Sequence, residues 1–163
     1  MAELENGPAR KPRILVIDDE ANLPIFLKDF LEESGFEVSM CYTGKTAMRT
    51  ALENPPDAII LDVDLPDIDG YSLCRSMRRT STLRTVPIVM LTALADQRNE
   101  IAGLKAGADD YLTKPIDTER LLARLNNAIS RNIRELDANP LTHLPGNTSI
   151  IQEIERQLHQ QNP

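Results

Sequence analysis

Five short runs punctuate this chain: RILVI at 13–17, FEVSM at 36–40, DAIIL at 57–61, VPIVML at 86–91 and DYLT at 110–113. Each pair of neighbours is separated by a stretch long enough for one helix. Strands alternating with helices predict a parallel sheet. The first run is apolar along its whole hydrophobic stretch, so it reads as a strand buried on both faces. Five βα repeats predict an α/β protein with a doubly wound sandwich and a five-stranded parallel sheet.

The connecting segments carry helical signals. From about 21 to 34, Leu23, Phe26, Leu27, Phe30 and Leu31 recur at helical spacing, with Pro24 tolerable in the first turn and Gly35 as the stop. Helices are expected from Lys45 to Glu53, ended by Pro55-Pro56, from Tyr71 to about Arg79, and from about Ala95 to Lys105, stopped by Gly107. Asp117 is a good N-cap for a long last helix that reaches Leu136.

In a parallel sheet all carboxyl ends lie on one edge, where ligands bind. Asp18, Asp19 and Glu20 follow the first run, Asp62 ends the third, Thr92 ends the fourth and Lys114 follows the fifth. The topology therefore brings them to one place. Taken singly, an acidic pair after a strand is often a helix cap, and a lysine before proline is often solvated. Together and in this order they suit phosphoryl transfer, which needs a nucleophile, a cation and fixed donors for the developing charge. Asp62 is a candidate nucleophile, since carboxylates form acyl phosphates. Asp18 and Asp19 offer hard oxygens of the kind Mg²⁺ prefers. Lys114 offers a mobile positive charge and Thr92 a hydroxyl. The N–H groups of Val63 and Ala93, one residue past strand ends, are expected to be free to donate.

Composition narrows the partners. The chain has 163 residues, with 18 basic against 25 acidic and a net charge of −7, which argues against direct nucleic-acid binding by this chain. No apolar run approaches the roughly 20 residues needed to span a bilayer. The polar start MAELENGPARKPR lacks the apolar stretch of a signal peptide, so a cytoplasmic location with no membrane partner is expected. Cys41 and Cys74 read as reduced, partly buried thiols rather than a disulfide framework.

The motifs ILVIDDE, IILDVDLPDIDGYSLC, PIVMLTALAD and GADDYLTKPI resemble the response-regulator receiver domains of two-component signalling. The resemblance spans about residues 12–133, leaving 1–11 as a flexible leader. It implies a CheY-like, flavodoxin-like fold with an extended C-terminal helix. It implies that Asp62 takes a phosphoryl group from a sensor histidine kinase or phosphotransfer protein, so that self-phosphorylation is the sole chemistry and steady turnover is not expected. It implies Mg²⁺ as cofactor, with Asp19 and Asp62 as direct ligands, Asp18 mostly through water, and the backbone carbonyl of Asp64 as the third protein ligand. Thr92 and Tyr111 would form the switch pair: Thr92 swings to the phosphate and Tyr111 turns into the vacated space. Asp64 itself departs from the apolar or amide residue usual at its place.

Two rival readings differ in class. Asp62-Val63-Asp64 resembles the D-x-D of haloacid-dehalogenase-type phosphatases, but that reading leaves Asp18 and Asp19 unused and places the motif on the third strand. A receiver-like interaction module without phosphorylation would require a broken site, and every site residue is present.

Beyond 133 the chain reads as a linker and the start of a truncated output domain, 134–163. Leu122, Leu125, Ile129 and Leu136, with Asn132 at the remaining seam position, have the spacing of a short coiled coil. A phosphorylation-dependent homodimer is expected, through this helix or the face formed by the fourth and fifth helices and the fifth strand. NPLTHLPGNTSIIQEIERQL resembles the opening of a GGDEF-type diguanylate cyclase domain. His143 stands where that family often has Gly, and Gly146-Asn147 replaces the commoner Asn-Arg, as in its degenerate members.

Overall fold

A computed structural model describes residues 10–20, 22–93 and 97–138. The elements alternate as the apolar runs predict: β1 (Arg13–Ile17), α1 (Asn22–Glu33), β2 (Glu37–Cys41), α2 (Gly44–Glu53), β3 (Ala58–Asp62), α3 (Gly70–Arg79), β4 (Ile88–Thr92), α4 (Gln97–Ala106), β5 (Asp110–Thr113) and α5 (Thr118–Ala138). The five strands form one parallel sheet in the order β2-β1-β3-β4-β5.

The two faces of the sheet are covered by different helices. Successive strand side chains point to opposite faces, so Ile14, Val16, Ile60, Val89 and Leu91 pack with Leu27 and Leu31 of α1 and with Leu121, Leu125 and Ile129 of α5. Leu15, Ile17, Ile59, Leu61, Ile88 and Met90 face the other way, toward Ala47 and Ala51 of α2, Leu73, Cys74 and Met77 of α3, and Ala106 of α4. Burial on both faces explains why β3 and β4 are buried at every position. Cys41 and Cys74 are both free and buried, and burial pushes the Cys74 thiol up to about 11.

Three strands are shifted from the sequence expectation by one or two residues. Phe36 does not begin β2, because its N–H donates to the Leu31 carbonyl and closes the end of α1, where Gly35 has φ +100°. β4 starts at Ile88 rather than Val86: Pro87 has no N–H, and the Val86 N–H turns back to Leu83. β3 is shifted to include Asp62 as its last residue.

α5 corrects the coiled-coil reading. Leu121 and Leu125 are fully buried against the sheet, and Ile129 is only 9% exposed, so Leu125 and Ile129 belong to this domain's own core. Ile133, one turn on, is 54% exposed. The side chain of Leu136 and all residues beyond 138, including the GGDEF-like stretch, lie outside the described residues. Among the described residues no helix is long and apolar enough to cross a membrane.

Candidate phosphoacceptor site

The carboxyl ends of β1, β3, β4 and β5 meet at one edge. Asp18 follows β1, Asp62 ends β3 and Thr92 ends β4; they are 1%, 3% and 1% exposed. Asp19 is exposed beside them. A carboxylate oxygen from each of Asp18, Asp19 and Asp62 lies within 4.8 Å of the others. The turn after β1 is set by the chain itself: the Asp18 N–H donates to the Cys41 carbonyl at 3.0 Å, and its Oδ1 accepts the Glu20 N–H at 2.9 Å.

Lys114 reaches into this cluster. Its Nζ is 3.2 Å from Asp18 Oδ2, 3.5 Å from Asp62 Oδ1 and 3.5 Å from Glu20 Oε1. Its own N–H donates to the Thr92 carbonyl at 2.7 Å, which ties the residue to the end of β4, and the peptide bond to Pro115 is cis.

The electrostatics follow from the crowding. Burial, then the neighbouring Asp18 carboxylate, pushes Asp62 from 3.8 up to about 7, against the pull of Lys114 and of the Asp64 N–H. Burial alone would lower the Lys114 ammonium, but Asp62 and Asp18 outweigh it and hold its pKa above the ordinary value. Three oxygen donors crowded this closely repel one another unless a cation lies between them. An oxygen-only set of this kind fits a hard divalent ion such as Mg²⁺.

One expected donor is misplaced. The Val63 N–H is not free: it donates to the Leu91 carbonyl at 3.0 Å and carries the β3–β4 ladder one step past Asp62. The register Asp62↔Leu91 makes this the next bond of the ladder. The N–H aimed at the Asp62 carboxylate belongs to Asp64. Ala93 is exposed directly after Thr92, and Asp64 is exposed at the mouth of the site.

Tyr111 on β5 is half-buried and packs on the α3–α4 side of the sheet. Its hydroxyl is hydrogen-bonded to Tyr71 in the first turn of α3, and burial together with this bond pushes the Tyr71 hydroxyl up to about 12. β5 lies two strands from β3. Nothing in the local sequence marks Tyr71 as the partner of Tyr111, beyond the fact that it directly follows Gly70.

Residues 14–126 match the family described as "Response regulator receiver domain". The chain belongs to that family. Among curated proteins, this chain is 38% identical over 143 residues to the DNA-binding dual master transcriptional regulator RpaA of Synechocystis sp., covering 82% of this chain and 59% of RpaA. It is 42% identical to the response regulator ArlR of Staphylococcus saprophyticus, covering 73% and 53%. It is 45% identical to the response regulator PleD of Caulobacter vibrioides, covering 69% and 25%. The chain thus spans about half the length of the first two and a quarter of the third. Among solved structures, a response regulator from Chloroflexus aurantiacus aligns with TM-score 0.73 at 40% identity, covering 75% of this chain and all of that one. The beryllofluoride-activated DrrB receiver domain aligns with TM-score 0.69 at 34% identity, covering 75% and 100%. The five-stranded flavodoxin-like fold agrees with these structures. Receiver domains are generally phosphoacceptors rather than enzymes, and the family match does not favour the phosphatase or the non-phosphorylated reading.

Proposed function

We propose that Asp62 is the phosphoacceptor, taking its phosphoryl group from the phosphohistidine of a sensor histidine kinase or phosphotransfer protein. The observation that carries this reading is the meeting of Asp18, Asp19, Asp62 and Lys114 at one strand edge, with Lys114 within 3.5 Å of Asp62. An Asp62 carboxylate oxygen attacks phosphorus, the P–N bond to the donor imidazole breaks, and an acyl phosphate forms. Lys114 bonds a phosphoryl oxygen, as do the Thr92 hydroxyl and the N–H groups of Ala93 and Asp64. Asp19, Asp62 and the Asp64 carbonyl would hold Mg²⁺, with Asp18 acting through water; the ion would neutralise charge on the phosphoryl oxygens. Thr92 and Tyr111 then relay the change to an output domain after residue 133.

Incubation with acetyl phosphate and Mg²⁺, followed by mapping of the adduct by mass spectrometry, tests this. The adduct is expected on Asp62, abolished by EDTA and by Asp62→Asn. An adduct on Asp64, or undiminished labelling of Asp62→Asn, rejects the assignment.

For the output we propose a GGDEF-type domain, supported by the NPLTHLPG motif. A DNA-binding output is the second reading, favoured by relatives described as transcriptional regulators. Assaying the full-length gene product for guanylate cyclisation and for duplex DNA binding separates them. The reading also places the protein in the cytoplasm, where such kinases present their phosphohistidine.

A further inference from the structure

Residues 63–70 leave the strand that ends in Asp62 and return to begin α3. Two fasteners close this loop. One is the loop on itself: the Gly70 N–H donates to the Val63 carbonyl at 2.7 Å. Gly70 sits so close to the acceptor strand that a Cβ there would lie 2.5 Å from the Asp62 carbonyl oxygen.

The other fastener lies outside the acceptor site. Asp67 Oδ1 accepts the Gly44 N–H at 2.8 Å, and its Oδ2 accepts the Lys45 N–H at 2.9 Å. These are the first two residues of α2, whose N–H groups have no acceptor within the helix. The two bonds hold the Asp67 carboxyl below the usual carboxylate range. The neighbouring Ile68 seats on Gly44, where a Cβ would come within 2.2 Å of Ile68 Cγ2. An exposed aspartate thus uses both oxygens to bind the backbone of a helix 22 residues earlier in the chain.

The loop so fastened contains Asp64, three residues before Asp67. We infer that Asp67 is a positioning residue for the metal step: by tying the 63–70 loop to α2, it orders Asp64 before Mg²⁺ arrives. The inference rests on the proposed function, in which the Asp64 carbonyl is a metal ligand. A loop already ordered loses less conformational freedom on binding, and that difference appears as affinity. Asp67 touches neither phosphate nor metal, so its removal acts on metal affinity and spares the rate at saturating metal.

Titration of the full chain with Mg²⁺, followed by amide NMR, reads the effect directly. Asp67→Ala is expected to weaken Mg²⁺ binding about 5- to 10-fold, with Asp67→Asn, which keeps one acceptor oxygen, in between. Gly44→Ala attacks the same seat from the other side and is expected to weaken binding in the same direction. In the metal-free protein the Gly44 and Lys45 amides are expected to lose hydrogen-exchange protection in Asp67→Ala. With acetyl phosphate, the Mg²⁺ concentration for half-maximal labelling rises while the maximal rate stays within about twofold. Unchanged Mg²⁺ affinity in Asp67→Ala overturns the inference, as does a fall in maximal rate at unchanged affinity. Failure of the wild type to label Asp62 would instead reject the proposed function, since the Mg²⁺ titration judges the loop without any phosphoryl transfer.

Discussion

Asp62 is a buried carboxyl pushed up to about 7, chiefly by burial and next by Asp18. A carboxyl whose folded pKa lies above 3.8 favours the fold while protonated, and that contribution is lost as pH rises through about 7. In Mg²⁺-free buffer the thermal midpoint of the wild type is therefore expected to fall more between pH 5 and 8 than that of Asp62→Asn. Mg²⁺ should raise the midpoint more at pH 8, where Asp62 is ionised, than at pH 5. Differential scanning fluorimetry measures both, and parallel slopes for wild type and Asp62→Asn would contradict the crowding argument. At this scale the sequence was informative where a polar residue ended an apolar run, as Asp18, Asp62 and Thr92 do. It misled at Val63, because the end of an apolar run is not the end of the hydrogen-bond ladder, which continues to Leu91. It was silent on Asp67, whose two partners are backbone groups of a helix that only the folded topology brings near.

Between elements, the Tyr71–Tyr111 bond links α3 to the edge strand β5 over the end of β4. Its two hydroxyls form one interaction, so removing either removes all of it. Tyr71→Phe and Tyr111→Phe are each expected to lower stability by about 0.5–1.5 kcal/mol, the net worth of a typical hydrogen bond. The double variant should lose no more than one single variant does. Urea denaturation at matched pH measures the cycle, and additive losses would mean that the hydroxyls have separate partners. Helix and strand order was legible because period and punctuation agree along the chain. The bond itself was not, since residues 40 positions apart show no local pattern. The start of β2 was misread for a related reason: Phe36 is apolar like the strand it precedes, yet its N–H serves the helix behind it.

On the scale of the whole molecule, several helices, α4 and α5 among them, carry apolar groups that the core does not use. Ile101 and Leu104 on α4 and Ile133 on α5 are all exposed. Ile129 is withdrawn from this set by its burial on the sheet, which weakens the case for a coiled coil through α5 and favours the broader face of α4, β5 and α5. Tyr111 lies on β5, so a change in its rotamer alters that same face. These side chains are 43–54% exposed, so completing the burial of each contributes about half of the ~1.5–3 kcal/mol that a fully exposed one would. Three per protomer offset much of an association cost of about 4–15 kcal/mol, which suits a weak dimer that phosphorylation tips. Sedimentation equilibrium at tens of micromolar, about the range where such a balance is visible, is expected to show a larger dimer fraction with beryllofluoride than without. Leu104→Asp should abolish that increase if the broad face pairs. Ile133→Asp alone should abolish it if the extended helix pairs. A monomer in both states, or a dimer indifferent to both substitutions, would place the contact elsewhere or remove it, because a charge buried at an apolar interface without a partner costs more than such a dimer has to spare.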